Sequence, residues 1–186
     1  YLGYTILYDR PNRVMDLSMP QYIPTFLAKL RPNGTKHASS PAIYTPPKYG
    51  SSAPQTSYLD TSPPASPAQK LEIQQVCGSL LFLGRALDST YLPSVGALSS
   101  QQATPTLNSV AASDRLIQYA AAHPDPHAYI RASDMTLRIA VDASYLSRDR
   151  SGSVAGGNFH LGPIPSADPA DGPPHLPQQP PPQIHM

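Results

Sequence analysis

Residues 66–87, "SPAQKLEIQQVCGSLLFLGRAL", form the stretch on which the rest of the chain can be organised. Ser66 offers an N-cap hydroxyl, Pro67 falls at the first helical position where its missing N–H costs nothing, and Gln69 stands at the capping-box position. Beyond that start Ile73, Val76, Cys77, Leu80, Leu81, Leu83 and Leu87 make a broad apolar face at helical spacing. Gly78 and Gly84 lower the helix propensity and permit another helix to come close. A face that wide needs partners. The following residues supply them: a shorter helix over Leu92 to Gln102, then one over Thr106 to Ala121, with Thr106 as cap, Leu107, Val110, Ile117 and Ala121 on one face, and "HPDP" as its stop. Residues 66–130 are therefore expected to hold a small helical bundle.

Upstream, Tyr1–Tyr8 and Val14–Ser18 are β-like runs around "DRPNR", whose Pro and Asn suit a turn, so a hairpin is expected. From Gln21 to Leu30 the residues Ile23, Phe26, Leu27 and Leu30 mark an amphipathic helix with Pro24 in its first turn, ended by "RPNG". Residues 1–38 form this segment. Residues 39–65 are Ser- and Pro-rich without periodicity and read as a mobile linker.

Downstream, "HPDPHAYIRASD" reads as a connection, and 131–162 as a second hairpin. There Leu137, Ile139, Val141 and Ala143 alternate as in a strand with one face on a core, which turns Asp142 to the other face. "SRDRSGS" connects that strand to a short run over Asn158–Leu161. Residues 163–186 are so rich in Pro that a disordered or polyproline-like tail is expected. The fold class is α+β.

Composition narrows the function classes. Among 186 residues, 40% are hydrophobic, enough for a modest core, while 24 are Pro and none is Trp. A net charge of +1 gives no global field towards nucleic acid or anionic lipid, so such contacts must come from local patches. A single cysteine, Cys77, excludes a disulfide framework and fits a reducing, intracellular setting rather than secretion. No apolar run is long enough to span a bilayer, so no membrane partner is expected.

Few side chains suit metal or nucleophilic chemistry. Glu72 is the sole glutamate and no two acids are adjacent; around Asp142 stand only Asp134, Asp149, Asp168 and Asp171. His123 and His127 are four apart, but Pro124 and Pro126 forbid the helix that would align them on a metal. Gly156-Gly157 fits a bulge or turn better than a phosphate cradle. Arg10, Arg13, Lys29, Arg31 and Lys36 form a loose basic cluster that either meets phosphate or stays solvated, and the same two readings apply to Arg148 and Arg150 in the distal hairpin loop.

Three blocks in order resemble one family. "YLGYTI" with a hairpin ending "LSMPQYI", then "GSLLFL", "LSSQQATPT" and "RLIQYAAAHPD" at matching spacing, then "LRIAVDASYLSRDRSGSVAGGNFHLG", are similar to the reverse transcriptase of copia-type long-terminal-repeat retrotransposons running from its primer grip through thumb or connection helices into RNase H. The resemblance spans residues 1 to about 162. It implies RNA-directed DNA synthesis with RNase H cleavage as the parent activity, Mg²⁺ as cofactor, and an RNA:DNA hybrid or template-primer as partner. By position Leu2 and Gly3 match the primer-grip turn, and Asp142 matches the first metal-binding carboxylate of an RNase H-like domain.

The departures bear on activity. The palm acids would precede Tyr1 and the RNase H glutamate would follow Met186, so the expectation is a fragment that is inactive alone, binds no Mg²⁺ by itself and needs the missing palm and RNase H segments. Its place would be a cytoplasmic particle or the nucleus. Two rival readings stand beside it: a non-catalytic nucleic-acid-binding remnant, and the product of a decayed reading frame without a role.

Overall fold

The computed structural model describes residues 3–43, 60–148 and 152–163, and shows a mixed α and β chain with four α-helices and two small sheets among them. The expectations for 44–59 and for the tail 164–186 lie outside the described residues. The chain divides into two compact units, one comprising Tyr1–Arg131 with Ser144–Val154 and the other Ala132–Ala143 with Ala155–Met186. No described helix is long and apolar enough to cross a membrane.

The N-terminal hairpin pairs β1 (Thr5–Asp9) with β2 (Val14–Ser18). Its turn is closed by the Asp9 carboxylate, which accepts from the Asn12 backbone N–H at 3.1 Å and from its side-chain amide at 2.6 Å. β1 starts at Thr5, later than the alternation suggests, because Gly3 turns the chain with φ +85°. Helix α1 (Tyr22–Leu30) follows, with Pro24 in its first turn as expected.

Helix α2 (Pro67–Ala86) starts with the capping box read from the sequence: Ser66 Oγ accepts from Gln69 N–H at 3.3 Å, and Gln69 Oε1 accepts from Ser66 N–H at 2.8 Å. A 3₁₀ turn (Ser89–Tyr91) leads into α3 (Leu92–Ser99), which ends before Gln102. There N–H groups bond three residues back, Gln101 to Leu98 and Thr104 to Gln101, so the helix loosens into turns ahead of Pro105. Helix α4 (Leu107–Ala122) carries its own capping box, with Ser109 answering Thr106.

The core lies where these helices meet. Ile23 and Phe26 of α1, Ile73, Val76, Leu80 and Leu83 of α2, Tyr91, Val95 and Leu98, and Leu116 and Ile117 of α4 are all buried. The inward face of α4 is rotated from the expected one: Leu107 is exposed, while Ser109 and Ser113 are buried. Ser109 faces inward with its hydroxyl satisfied, Oγ donating to Gln101 Oε1 at 2.9 Å, whereas the buried Ser113 hydroxyl has no hydrogen-bond partner among the described residues. At Gly84 α2 lies close against its neighbour, since a Cβ there would sit 2.8 Å from Leu92 Cδ2, whereas Gly78 faces open space.

The connection after α4 contains an element that the sequence reading passed over. Strand β3 (His127–Arg131) pairs antiparallel with β2, giving a sheet of order β1-β2-β3. Register places Ile6 and Tyr8, Leu17 and Met15, and Ala128 and Ile130 opposite one another in rows, so one face of this sheet carries only apolar side chains.

The described ends of the 39–65 segment are held. Ala38 N–H donates to Gln118 O, Arg115 donates to Ser40 O and Oγ at 2.9 Å each, and Leu107 N–H donates to Pro63 O. Asp60 accepts from Ser62, Asn108 and the Thr106 hydroxyl, fastening this segment to the start of α4.

The second hairpin is β4 (Thr136–Arg148) and β5 (Gly152–Gly162), a two-stranded sheet longer than expected. Gly156 and Gly157 lie within β5, not at a turn. The alternating face of β4 was expected on a core. It is exposed instead: Ile139 is 56% and Val141 71% accessible.

Candidate nucleic-acid contacts and the Asp142 strand

The residues singled out from sequence do not gather at one place. Gly3 sits in the turn before β1, where a Cβ would approach Met19 Cε at 3.3 Å, so both the positive φ and the space favour glycine. Arg10 and Arg13 occupy the β1–β2 turn and are exposed, with Arg13 at φ 53° and its N–H donating to Arg10 O. Arg131 pairs across β2 with Val14, next to Arg13 in sequence, so the sheet's turn end carries three arginines. Lys29 is exposed in the last turn of α1, a position that complements the helix dipole. Leu2, Arg150 and the Arg148 side chain lie outside the described residues.

Arg31 has a different placement. Its guanidinium forks onto both Glu72 oxygens at 3.1 and 2.7 Å and reaches Asp114 Oδ1 at 2.5 Å, tying the end of α1 to α2 and α4. Its donors are spent on carboxylates 41 and 83 residues away. The same contact accounts for Glu72, the sole glutamate, as a helix-joining group.

Asp142 is exposed on β4, and its Oδ1 accepts from the next backbone N–H, that of Ala143, at 2.9 Å. A solvated strand carboxylate carries no burial cost, which is why an acid is tolerated mid-strand. Beside it Val141, Ala143, Ala155, Gly156, Gly157 and Phe159 line a shallow open hollow. Among the described residues no group of three or more His, Cys, Asp or Glu side chains is placed to hold a metal ion. Two-ion phosphoryl chemistry needs converging carboxylates, so Asp142 with its described surroundings does not fit Mg²⁺.

One polar cluster was invisible in the sequence. His127, at the start of β3, puts Nδ1 2.7 Å from Asp16 Oδ1 and Nε2 3.2 Å from Asp125 Oδ2, and its ring stacks on Tyr129. Asp16 is 111 residues away in sequence. The signal that could have found it was the alternation of "HAYIR", too short to stand out behind the "HPDP" turn that precedes it.

Comparison with family models, curated proteins and solved structures finds no match to this chain.

Proposed function

We propose that this chain is a piece of a copia-type reverse transcriptase with the start of its RNase H-like part, without catalytic activity alone, whose own contribution is contact with an RNA:DNA hybrid or template-primer. The observation that carries this reading is the β4–β5 hairpin. It spends thirteen and eleven residues on two strands, yet its apolar alternating side chains, Leu137, Ile139, Val141, Phe159 and Leu161 among them, stay exposed. A two-stranded sheet is marginal by itself, and an apolar strand face of this length suits a core supplied by further sequence. The order of the three sequence blocks gives the same reading, and the exposed Arg10 and Arg13 supply charge for phosphate.

The test is anisotropy of a labelled RNA:DNA hybrid against rising salt, with hybrid cleavage followed in Mg²⁺. The expected result is salt-sensitive binding that weakens at all sequences alike in Arg10→Ala/Arg13→Ala, and no cleavage. Absence of hybrid binding at low salt would overturn the nucleic-acid reading. Mg²⁺-dependent cleavage lost in Asp142→Asn would overturn the inactive-alone reading and show that a complete site exists.

A further inference from the structure

We propose that Asp16, His127 and Asp125 form a proton-dependent latch, which holds β3 against β2 while both ring nitrogens of His127 carry protons and releases it when one is lost. The geometry states the requirement. Each nitrogen faces a carboxylate oxygen, Nδ1 that of Asp16 at 2.7 Å and Nε2 that of Asp125 at 3.2 Å. A neutral imidazole has one N–H and one lone pair, so it can satisfy one carboxylate and must turn a lone pair on the other. Only the imidazolium satisfies both, and its charge also separates two carboxylates that would otherwise face one another. One carboxylate at each ring nitrogen is not a metal-binding arrangement, since the donor atoms of a metal site converge on one common point and these do not.

The latch sits where backbone support is thin. Pro124 and Pro126, immediately before β3, have no N–H to give. β3 is an edge strand of five residues paired only with β2. The other charged and titratable groups nearby leave the balance to the two acids. Tyr129 stacks on the ring, and the His123 ring is occupied with the Tyr119 carbonyl at 2.9 Å. Asp9 and Arg131 share the sheet face in register with Val14, four residues along β3 from His127, about 13 Å at strand spacing, and carry opposite charges that offset one another. Partial burial pushes the imidazole down, but the hydrogen bonds to Asp16 and then Asp125, with their charges, outweigh it and hold the group above its ordinary 6.5. For a group raised in the folded state, the stabilisation is complete below the unfolded value and is lost as pH rises through the folded one. The latch therefore opens on the alkaline side.

This inference stands apart from the nucleic-acid reading. Its test is a proton NMR titration of His127 in the full chain from about pH 5.5, above the carboxylate range, to about pH 8.5, together with amide exchange corrected for intrinsic rate. The expected midpoint lies above 6.5, with protection of the Ala128–Arg131 amides falling several-fold through it while α2 amides around Leu80 hold. In Asp16→Asn the midpoint moves down and the β3 profile flattens. A wild-type midpoint at or below 6.5 would overturn the proposal without any variant, as would β3 protection that is flat across the range, or an Asp16→Asn midpoint equal to wild type.

Discussion

The helical block and the β4–β5 hairpin come from equally regular sequence patterns and end in opposite surroundings. Leu80 and Ile117 are 0% accessible, while Val141 is 71% and Tyr145 84%. In the helices the apolar stripe of α2 meets stripes of α1, α3 and α4 that lie within the same described chain, so pattern and burial agree. In the hairpin the pattern is as clean, but no described element supplies the opposing layer. Periodicity fixes which side chains share a face. Whether that face is dry depends on what else is there to cover it.

The sharpest way to break this contrast is to truncate one residue in each region. Leu80→Ala should cost about 2–5 kcal/mol in urea unfolding, from lost transfer energy and the cavity left behind. Ile139→Ala should cost under about 1 kcal/mol, because its side chain already meets water. Comparable losses would mean the hairpin face is covered in solution. A smaller effect sharpens the account of the helical block: Gly78→Ala should stabilise by up to about 1 kcal/mol through helix propensity, since its position is open. Gly84→Ala should fall short of it by about 1 kcal/mol or more, because Leu92 must move aside. If the two glycines respond alike in thermal melts, α2 and Leu92 are not in the contact described. The smallest expected effect concerns the segment before α2. The hydrogen bond from the Thr106 hydroxyl, followed by those from Ser62 and Asn108, holds the Asp60 carboxyl down at about 2. A group lowered in the folded state stabilises above its unfolded value of 3.8 and stops doing so as pH falls through the folded one. Melting from about pH 4.5 to about pH 2 should therefore decline more steeply for wild type than for Asp60→Asn, the charge-free counterpart that keeps the side-chain shape.

What could be read from the sequence was local. The capping box at Ser66, the cap at Thr106, the α2 face and the β2 bounds rest on residues close to one another in sequence, and they stand in the structure as read. What could not be read required partners far along the chain. Arg31 looked like one cation in a loose basic cluster because nothing near it in sequence announces Glu72 and Asp114. β3 looked like a connection because its pairing partner is β2, with α1 through α4 in between. The inward turn of α4 places Ser109 against Gln101, a contact that no hydropathy pattern encodes. Asp142 shows the reverse: its strand was legible, and its exposure was not, because exposure records the absence of a covering layer.

The pairing of β2 with β3 also orders the protein's birth. Val14 emerges from the ribosome long before Arg131, its partner across the sheet, so the first hairpin must wait through synthesis of the whole helical block, roughly 6–23 seconds at usual elongation rates. During that interval Met15 and Leu17 lack a neighbour on one side, and the α2 helix, whose start is fixed locally, has time to form first. The sheet is then completed only after the helical block has been made, closed by a five-residue strand at the far end of a long loop.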